Sequence, residues 1–124
     1  MALTLQPGNV GFQNNLADVA WLLATSPDSS ARDGSKAVEL AQLAEQASGG
    51  RNPITAAALA AAYAESGRFP EAVATAQSAL QLAASQNESL LVDALQKQLK
   101  CYQAGSPFRD SSLTINVSNG PNKQ

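Results

Sequence analysis

Few side chains in this 124-residue chain have the type and spacing that chemistry requires. Asp28, Arg32 and Asp33 form a charged cluster in a polar stretch, where the two carboxylates could contribute oxygen ligands to a metal ion. Calcium-binding loops, however, need more oxygen ligands at regular spacing. The sequence therefore favours a surface loop at this position, and we predict no metal site.

Candidates for acid–base or nucleophilic catalysis are also missing. Glu39 and Glu45 do not share a helix face well, and Glu65 and Glu71 bracket a turn. The chain has no histidine, the most common general base and metal ligand, and Cys101 is its only cysteine. A single thiol without a histidine is poor material for cysteine-based catalysis. We therefore predict a protein that is not an enzyme and has no cofactor.

Charge and hydropathy exclude two further classes of partner. The net charge is −2, with ten acidic and eight basic residues spread along the chain, so no basic stripe could neutralise nucleic-acid phosphates. The longest mostly apolar run, residues 54–64, is far shorter than the roughly 20 residues that a membrane-spanning helix needs. The N-terminal sequence MALTLQPGNVGF does not resemble a secretory signal. We expect a soluble, most simply cytoplasmic protein without nucleic-acid partners or membrane insertion.

Five segments combine the apolar spacing of amphipathic helices with residues that start or stop helices. The stripe of the first helix consists of Leu16, Val19, Ala20 and Leu23. Asn14 or Asn15 is its candidate N-cap. The second helix is predicted to have Ser35 as its N-cap and to stop at the glycine pair of residues 49–50.

The remaining three helices have boundary signals of their own. Asn52 is predicted to cap the third helix, with Pro53 at its first position, where the missing N–H costs nothing. Pro70 stands in the first turn of the fourth helix, and residues 85–88, SQNE, match a capping box that would open the fifth. The short polar connections indicate that neighbouring helices run antiparallel.

The stretch from residue 56 to residue 80 holds eleven alanines, which bring no acid, base, nucleophile or ligand. Ala72, Ala76 and Ala79 follow i, i+4, i+7 spacing, so they share one face of the fourth helix. Small side chains at this spacing leave a depression into which a neighbouring helix can pack. We interpret the alanine-rich stretch as a packing surface.

Two helix pairs align with one another. AYAESGRFPEAVATAQSAL can be laid over LLATSPDSSARDGSKAVELAQLA, with Tyr63 on Leu23 and Val73 on Val38. A helix-turn-helix unit that recurs at this size is typical of solenoid proteins. At these residues the chain resembles the tetratricopeptide repeat family, whose unit is about 34 residues long.

The second copy carries most of the family's pattern. Its matching residues are Leu59, Tyr63, Gly67, Phe69, Ala72, Ala79 and Leu80. They stand where the repeat has a leucine, an aromatic, a turn glycine, an aromatic, two small residues and a leucine. The chain departs from the pattern at four alanines, where the family favours tryptophan, glycine, an aromatic and proline, respectively: Ala56, Ala60, Ala76 and Ala84. The first copy is degenerate, and its turn is longer.

The resemblance implies an all-α fold in which about five helices form antiparallel pairs in a right-handed superhelical array. The resemblance implies three segments: an N-terminal extension (1–13), a tetratricopeptide-like helical domain (14–104) and a flexible C-terminal tail or strap (105–124). The helical domain consists of repeat one (about 14–48), repeat two (53–86) and a terminal helix (87–104). Within that tail, only LTINV, residues 113–117, has strand character.

In this family partners dock on the concave inner surface. The candidate partner-binding residues at the corresponding positions are Trp21, Ile54, Ala57, Ala61, Ala64 and Glu65. The best-known peptide-binding members clamp a C-terminal carboxylate with lysine and asparagine, whereas this chain has alanine at those places. We therefore expect no such clamp but a shallow apolar groove that favours a hydrophobic helix or strand. An alternative interpretation of Trp21 is ordinary packing of its indole over the alanines of the third helix.

The function that follows is that of a protein–protein interaction module or scaffold, binding a protein or peptide partner. An alternative is a C-terminal accessory or oligomerisation domain of a larger bacterial membrane enzyme or secretion protein, because WLLATSPDSSARDGSKAVELAQLAEQA also resembles the end of longer bacterial arrays. Since about three repeats are usually needed for a stable array, self-association into a homo-oligomer is a further prediction. In a third alternative, LTINV docks in the groove of its own chain or a neighbour's as an internal ligand.

Overall fold

The computed structural model describes residues 10–110. The secondary structure of these residues consists of helices, and they contain no strand. The five α-helices are α1 (Val10–Thr25), α2 (Gly34–Ser48), α3 (Pro53–Glu65), α4 (Phe69–Ser85) and α5 (Ser89–Gln103), with one 3-10 turn at Ser29–Ala31 between the first two. The prediction of an all-α fold with five helices is confirmed for this part of the chain. The segment LTINV lies outside the described residues.

The first two helices start earlier than the sequence predicts. Helix α1 begins at Val10, so Asn14 and Asn15 lie inside it rather than at its N-cap. Helix α2 begins at Gly34, and its N-cap is Asp33, whose carboxylate accepts a hydrogen bond from Lys36 N at 3.1 Å. The prediction of Ser35 as the cap is wrong because the aspartate lies two residues earlier and already satisfies a free N–H of the first turn.

The early start of α2 also depends on a close approach between helices. A Cβ atom at Gly34 would lie 2.8 Å from Ser66 Oγ and 3.3 Å from the Glu65 side chain. Glycine is therefore the residue that lets the start of α2 lie directly against the end of α3.

We expect Asp33→Ala to lower the free energy of unfolding by about 0.5–2 kcal/mol, because the variant loses the N-cap hydrogen bond. Ser35→Ala is the matched control, since Ser35 is exposed inside the helix, and it should change the free energy by less than about 0.5 kcal/mol. Urea unfolding followed by circular dichroism measures both variants. Equal losses for the two would contradict the assignment of the cap.

The start of α3 agrees with the sequence-based prediction, whereas the start of α5 differs from it. Asn52 caps α3 as predicted, accepting a hydrogen bond from Ile54 N at 2.9 Å, with Pro53 as the first helical residue. The capping box predicted for α5 is wrong: Ser85 belongs to α4, and its hydroxyl donates to Leu82 O at 2.8 Å. Glu88 precedes α5 without a side-chain cap bond.

The capping box does not form because the connection between α4 and α5 has the structure of a helix C-terminus. Asn87 has a φ of 61°, in the left-handed region. Its N–H donates to Ala84 O at 3.2 Å, and Glu88 N donates to Ala83 O at 2.9 Å. This pair of bonds is the Schellman arrangement, in which asparagine is the second most common residue at the left-handed position.

Helix α3 lies at the centre of the molecule, where it contacts α1, α2, α4 and α5. Ten of its 13 residues are buried, and seven of those ten are alanine. A helix that is covered on all sides must be apolar all round, and methyl side chains let four neighbours approach its backbone. The alanine-rich stretch is thus a packing surface, as predicted.

The other helices present alanine stripes toward this centre. On α4 the fully buried residues include Ala72, Ala76 and Ala79, which confirms their predicted common face. Leu95 and Tyr102 of α5 fill the space against the alanines of α3 and α4. The large side chains of these two clusters therefore come from α5, and the alanines of α3 and α4 leave room for them.

Candidate interaction groove

The predicted concave residues separate into two groups in the structure. Trp21, Ile54 and Ala57 line a cavity of about 210 Å³ between α1, α3 and α5. We call this cavity the inner groove; its complete lining is Ala17, Asp18, Trp21, Ile54, Ala57, Ala58, Leu91 and Gln98. Ala61, Ala64 and Glu65 lie farther along α3, outside the groove.

Helical spacing brings the lining residues together. Along α3 the residues at i, i+3 and i+4 from Ile54 face the groove, and α5 contributes Leu91 and Gln98, seven residues apart. Ile54 stands at the rim, 37% exposed, and the Asp18 side chain is also exposed there. The wall is therefore apolar, with a carboxylate at its mouth.

One polar group lies inside this apolar wall. Gln98 is only 5% exposed, and its side-chain Oε1 has no hydrogen-bond partner within residues 10–110. A buried polar atom left without a partner costs about 1–3 kcal/mol, so such atoms are usually paired in native proteins. Gln98 thus places an unpaired acceptor in the wall of the groove, just below its accessible surface.

Sequence reasoning missed Gln98, although a signal for it was present. The apolar stripe of α5 runs through Leu91, Leu95 and Tyr102, and Gln98 follows Leu91 at i+7 and Leu95 at i+3. A glutamine on the buried face of an amphipathic helix is the pattern to look for. Its meaning still depends on the cavity, which the sequence does not reveal.

The end of the inner surface beyond the groove is covered by the chain itself. Residues 106–110, which we call the C-terminal strap, run from the end of α5 to α1. The ring of Phe108 lies 5.8 Å from the Trp21 ring, and Asp110 Oδ2 accepts a hydrogen bond from Trp21 Nε1 at 2.7 Å. Asp110 N donates to Thr25 O at 2.9 Å. The strap therefore fixes the orientation of the indole.

Glu65 is held by two arginines. Arg109 of the strap places Nη1 2.8 Å from Glu65 Oε1, and Arg32 places Nε 3.4 Å from Glu65 Oε2. The same Arg109 Nη1 donates to Ala24 O at 3.3 Å. The carboxylate of Glu65 is thus engaged within the chain and joins the loop, α3 and the strap.

The other predicted partner-binding residues, Ala61 and Ala64, lie in the core. Ala61 is buried in the cluster that joins α1, α2 and α3, and Ala64 is buried with Tyr102. Both alanines are almost completely buried. Trp21 has both of its predicted environments: it packs against the alanine cluster and also lines the groove.

The charged cluster of the long loop has structural contacts. Asp28 accepts hydrogen bonds from the Ser30 hydroxyl and the Ser30 N–H, and these two bonds lower its pKa. Arg32 reaches Glu65, and Asp33 caps α2. These contacts agree with the prediction of a surface loop. Within residues 10–110, no three acidic or cysteine side chains are grouped so that they could hold a metal ion.

Tyr102 is the most strongly perturbed titratable group of the described part. Burial, and secondarily the neighbouring Cys101, raises the pKa of the Tyr102 hydroxyl far above its ordinary value. The hydroxyl therefore stays protonated, and it is enclosed in the core away from the groove. No helix in the described residues is long and apolar enough to cross a membrane.

A larger concavity of about 600 Å³ lies near the start of α3, and several amide side chains are among its lining residues. These amides bond to one another and to the backbone: Asn52 Nδ2 donates to Gln13 Oε1 and to Asn14 Oδ1 at 3.1 and 3.0 Å. Gln86 Nε2 likewise donates to Arg51 O at 3.0 Å. The inner groove, with its unpartnered acceptor, is the better candidate for a binding site.

Comparisons of the chain with protein-family models, with curated proteins and with solved structures find no match.

Proposed function

We propose that this chain is a protein-interaction module built from tetratricopeptide-like repeats, which binds an extended peptide segment of a protein partner in the inner groove. The observation that carries the proposal is the buried, unpartnered Gln98 Oε1 within an otherwise apolar cavity. An acceptor in this position suits a ligand that brings an apolar side chain together with a backbone N–H.

The helix contacts support the repeat architecture. Helix α1 packs against both α2 and α3, and α4 packs against both α3 and α5, whereas α3 touches α5 only lightly. The hairpin contacts are those expected if α1/α2 and α3/α4 are two consecutive hairpins and α5 is a terminal helix packed mainly on α4. In such an array α1, α3 and α5 form the inner layer, which is the layer that lines the groove.

The size and charge of the groove define the ligand further. A cavity of about 150 Å³ lined by apolar side chains is known to hold a benzene ring. The inner groove, at about 210 Å³, therefore has room for one large apolar side chain. Asp18 at the rim favours a basic residue beside it. We propose no catalytic activity and no cofactor, and a cytoplasmic location remains a prediction.

A peptide selection tests the proposal. The full chain and a form that ends at Asp110 are used to select phage-displayed random peptides, and the selected peptides are measured by calorimetry. We expect Ile54→Asp, at the groove rim, to weaken binding about tenfold or more, equivalent to about 1.4 kcal/mol. A charge placed there opposes burial of the apolar ligand.

The matched control for this experiment is Leu90→Asp. Leu90 is 85% exposed and adjoins Leu91 in sequence, but it does not line the groove. Its substitution should leave the affinity unchanged. If no peptide is selected with either form, or if the two variants bind equally well, the proposed function is wrong.

Oligomerisation is the second candidate function, and one observation favours it. Val19 and Leu22 are both exposed and lie three residues apart on α1, so the first helix has an apolar face that no described residue covers. A second copy could cover this face. Sedimentation velocity at high protein concentration distinguishes this candidate, which a strict monomer would exclude.

A further inference from the structure

We infer that residues 113–117 of the chain's own C-terminus, LTINV, occupy the inner groove as an extended segment, with one of their backbone N–H groups donating to Gln98 Oε1. The inference concerns the same groove as the proposed function. Its regulatory consequence rests on that function, but occupancy by the tail can be measured without any partner.

The first argument is the point at which the described chain ends. Asp110 bonds twice to α1, through its backbone N–H to Thr25 O and through its carboxylate to Trp21 Nε1. Trp21 is itself part of the groove wall. Asp110, the last described residue, is therefore bonded directly to a residue of the groove wall.

The second argument is reach. An extended chain spans at most about 3.3–3.6 Å per residue, so seven residues beyond Asp110 cover up to about 25 Å. The distance along α1 from Trp21 to Ala17, at opposite ends of its contribution to the groove, is only about 6 Å at 1.5 Å per residue. Residues 113–117 can reach the whole groove without any change in the helices.

The third argument is chemical complementarity. In an extended segment, Leu113, Ile115 and Val117 point to one side, while Thr114 and Asn116 point to the other. One of the three apolar side chains can fill the groove, whose wall is alanine, leucine and indole, while the other two lie along its rim. A lone extended segment has N–H groups without strand partners, and Gln98 Oε1 is a buried acceptor without a donor. The segment can supply the donor, and Gln98 can supply the acceptor.

The chain's own tail is favoured over other occupants by its attachment. A short covalent connection gives an effective concentration in the millimolar range, far above that of a second chain or a partner at micromolar concentration. Even a weak contact is then populated within one molecule. An external peptide must displace the tail, so the tail regulates access to the groove.

The test uses the full chain with a spin label on the tail. Asn116→Cys is combined with Cys101→Ala and carries a nitroxide, and the amide signals of the chain are observed by NMR. We expect the signals of Ala57 and Leu91, at the groove, to be lost, while those of Gln42 and Ala74, exposed on α2 and α4, persist. Adding Ile115→Asp should restore the groove signals, whereas Asn122→Asp, outside the segment, should not.

An isotope-mixing experiment identifies which chain supplies the tail. Spin-labelled chains without isotope are mixed with isotope-labelled chains that carry no spin label. Loss of the groove signals in this mixture would mean that the tail comes from a second copy, and it would overturn the inference. Groove signals that persist in the singly labelled full chain would overturn it as well.

Peptide affinity separates this inference from the proposed function. If the tail fills the groove in about nine of ten molecules, the form that ends at Asp110 should bind a selected peptide about tenfold more tightly than the full chain. Groove signals lost without peptide binding by either form would leave the inference standing and refute the proposed function. Equal peptide binding by both forms, with persistent groove signals, would refute the inference and leave the proposed function standing.

Discussion

Leu95→Ala is expected to lower the free energy of unfolding by about 2–5 kcal/mol. Leu95 is fully buried where α5 closes over α3 and α4, in a cluster whose other buried members are all alanine. Removing the leucine leaves a cavity that the neighbouring alanines cannot fill, because an alanine side chain has no rotamer that could move into the space.

Leu90→Ala provides the matched control on the same helix. Because Leu90 is almost fully exposed, its truncation should change the free energy by less than about 0.5 kcal/mol. Chemical unfolding of both variants, followed by circular dichroism, gives the comparison. Similar losses at the two positions would mean that α5 does not pack on α3 and α4 in solution.

Ala72→Leu is expected to be destabilising for the opposite reason, by about 1–3 kcal/mol. Ala72 is fully buried, in a cluster with Ala60, Ala76 and Tyr102. A leucine there has no free volume and must push α3, α4 and α5 apart. For a domain of this size each kcal/mol lowers the melting temperature by about 4–8 °C, so the change is readily measured.

The same substitution on the outer face of α4 tests the direction of the alanine stripe. Ala74 is exposed and lies two residues from Ala72. Ala74→Leu should leave the melting temperature nearly unchanged, since surface substitutions away from special features are usually within about 0.5 kcal/mol. An unchanged melting temperature for Ala72→Leu would show that the packing assignment is wrong.

The groove was partly predictable because repeat positions translate into helix faces. The repeat pattern places Trp21, Ile54 and Ala57 on the inner surface, and all three line the groove. The same pattern places Ala61 and Ala64 there, but both are buried in the core. The pattern specifies which side of a helix faces inward, whereas accessibility depends on what other segments place over that side.

The strap was predictable only as a possibility. The sequence assigns everything after residue 104 to a tail or strap, since its residues are polar and include glycine and proline. The structure holds residues 106–110 against α1 and α3 through Phe108, Arg109 and Asp110. These contacts join positions more than 40 residues apart, and local sequence carries no signal of such distant partners.

Local signals alone determine most of the secondary structure of this protein. The alternation of apolar and polar residues, the prolines near helix starts and the glycines after helix ends act within one or two turns, so a reader of the sequence can place all five helices. The start of α2 differs from the prediction because Asp33, two residues before Ser35, already caps it, and the predicted capping box of α5 fails because residues 85–88 form the C-terminus of α4.

Only the tertiary structure decided which surfaces remain open. The sequence states that α3 is rich in alanine, but burial on every side follows from four helices meeting around it. In the same way, the unpartnered Gln98 becomes a candidate recognition group only because α1, α3 and α5 leave a cavity beside it. Cavities and covered faces are properties of the space between elements, and their residues are brought together by folding rather than by their spacing in the chain.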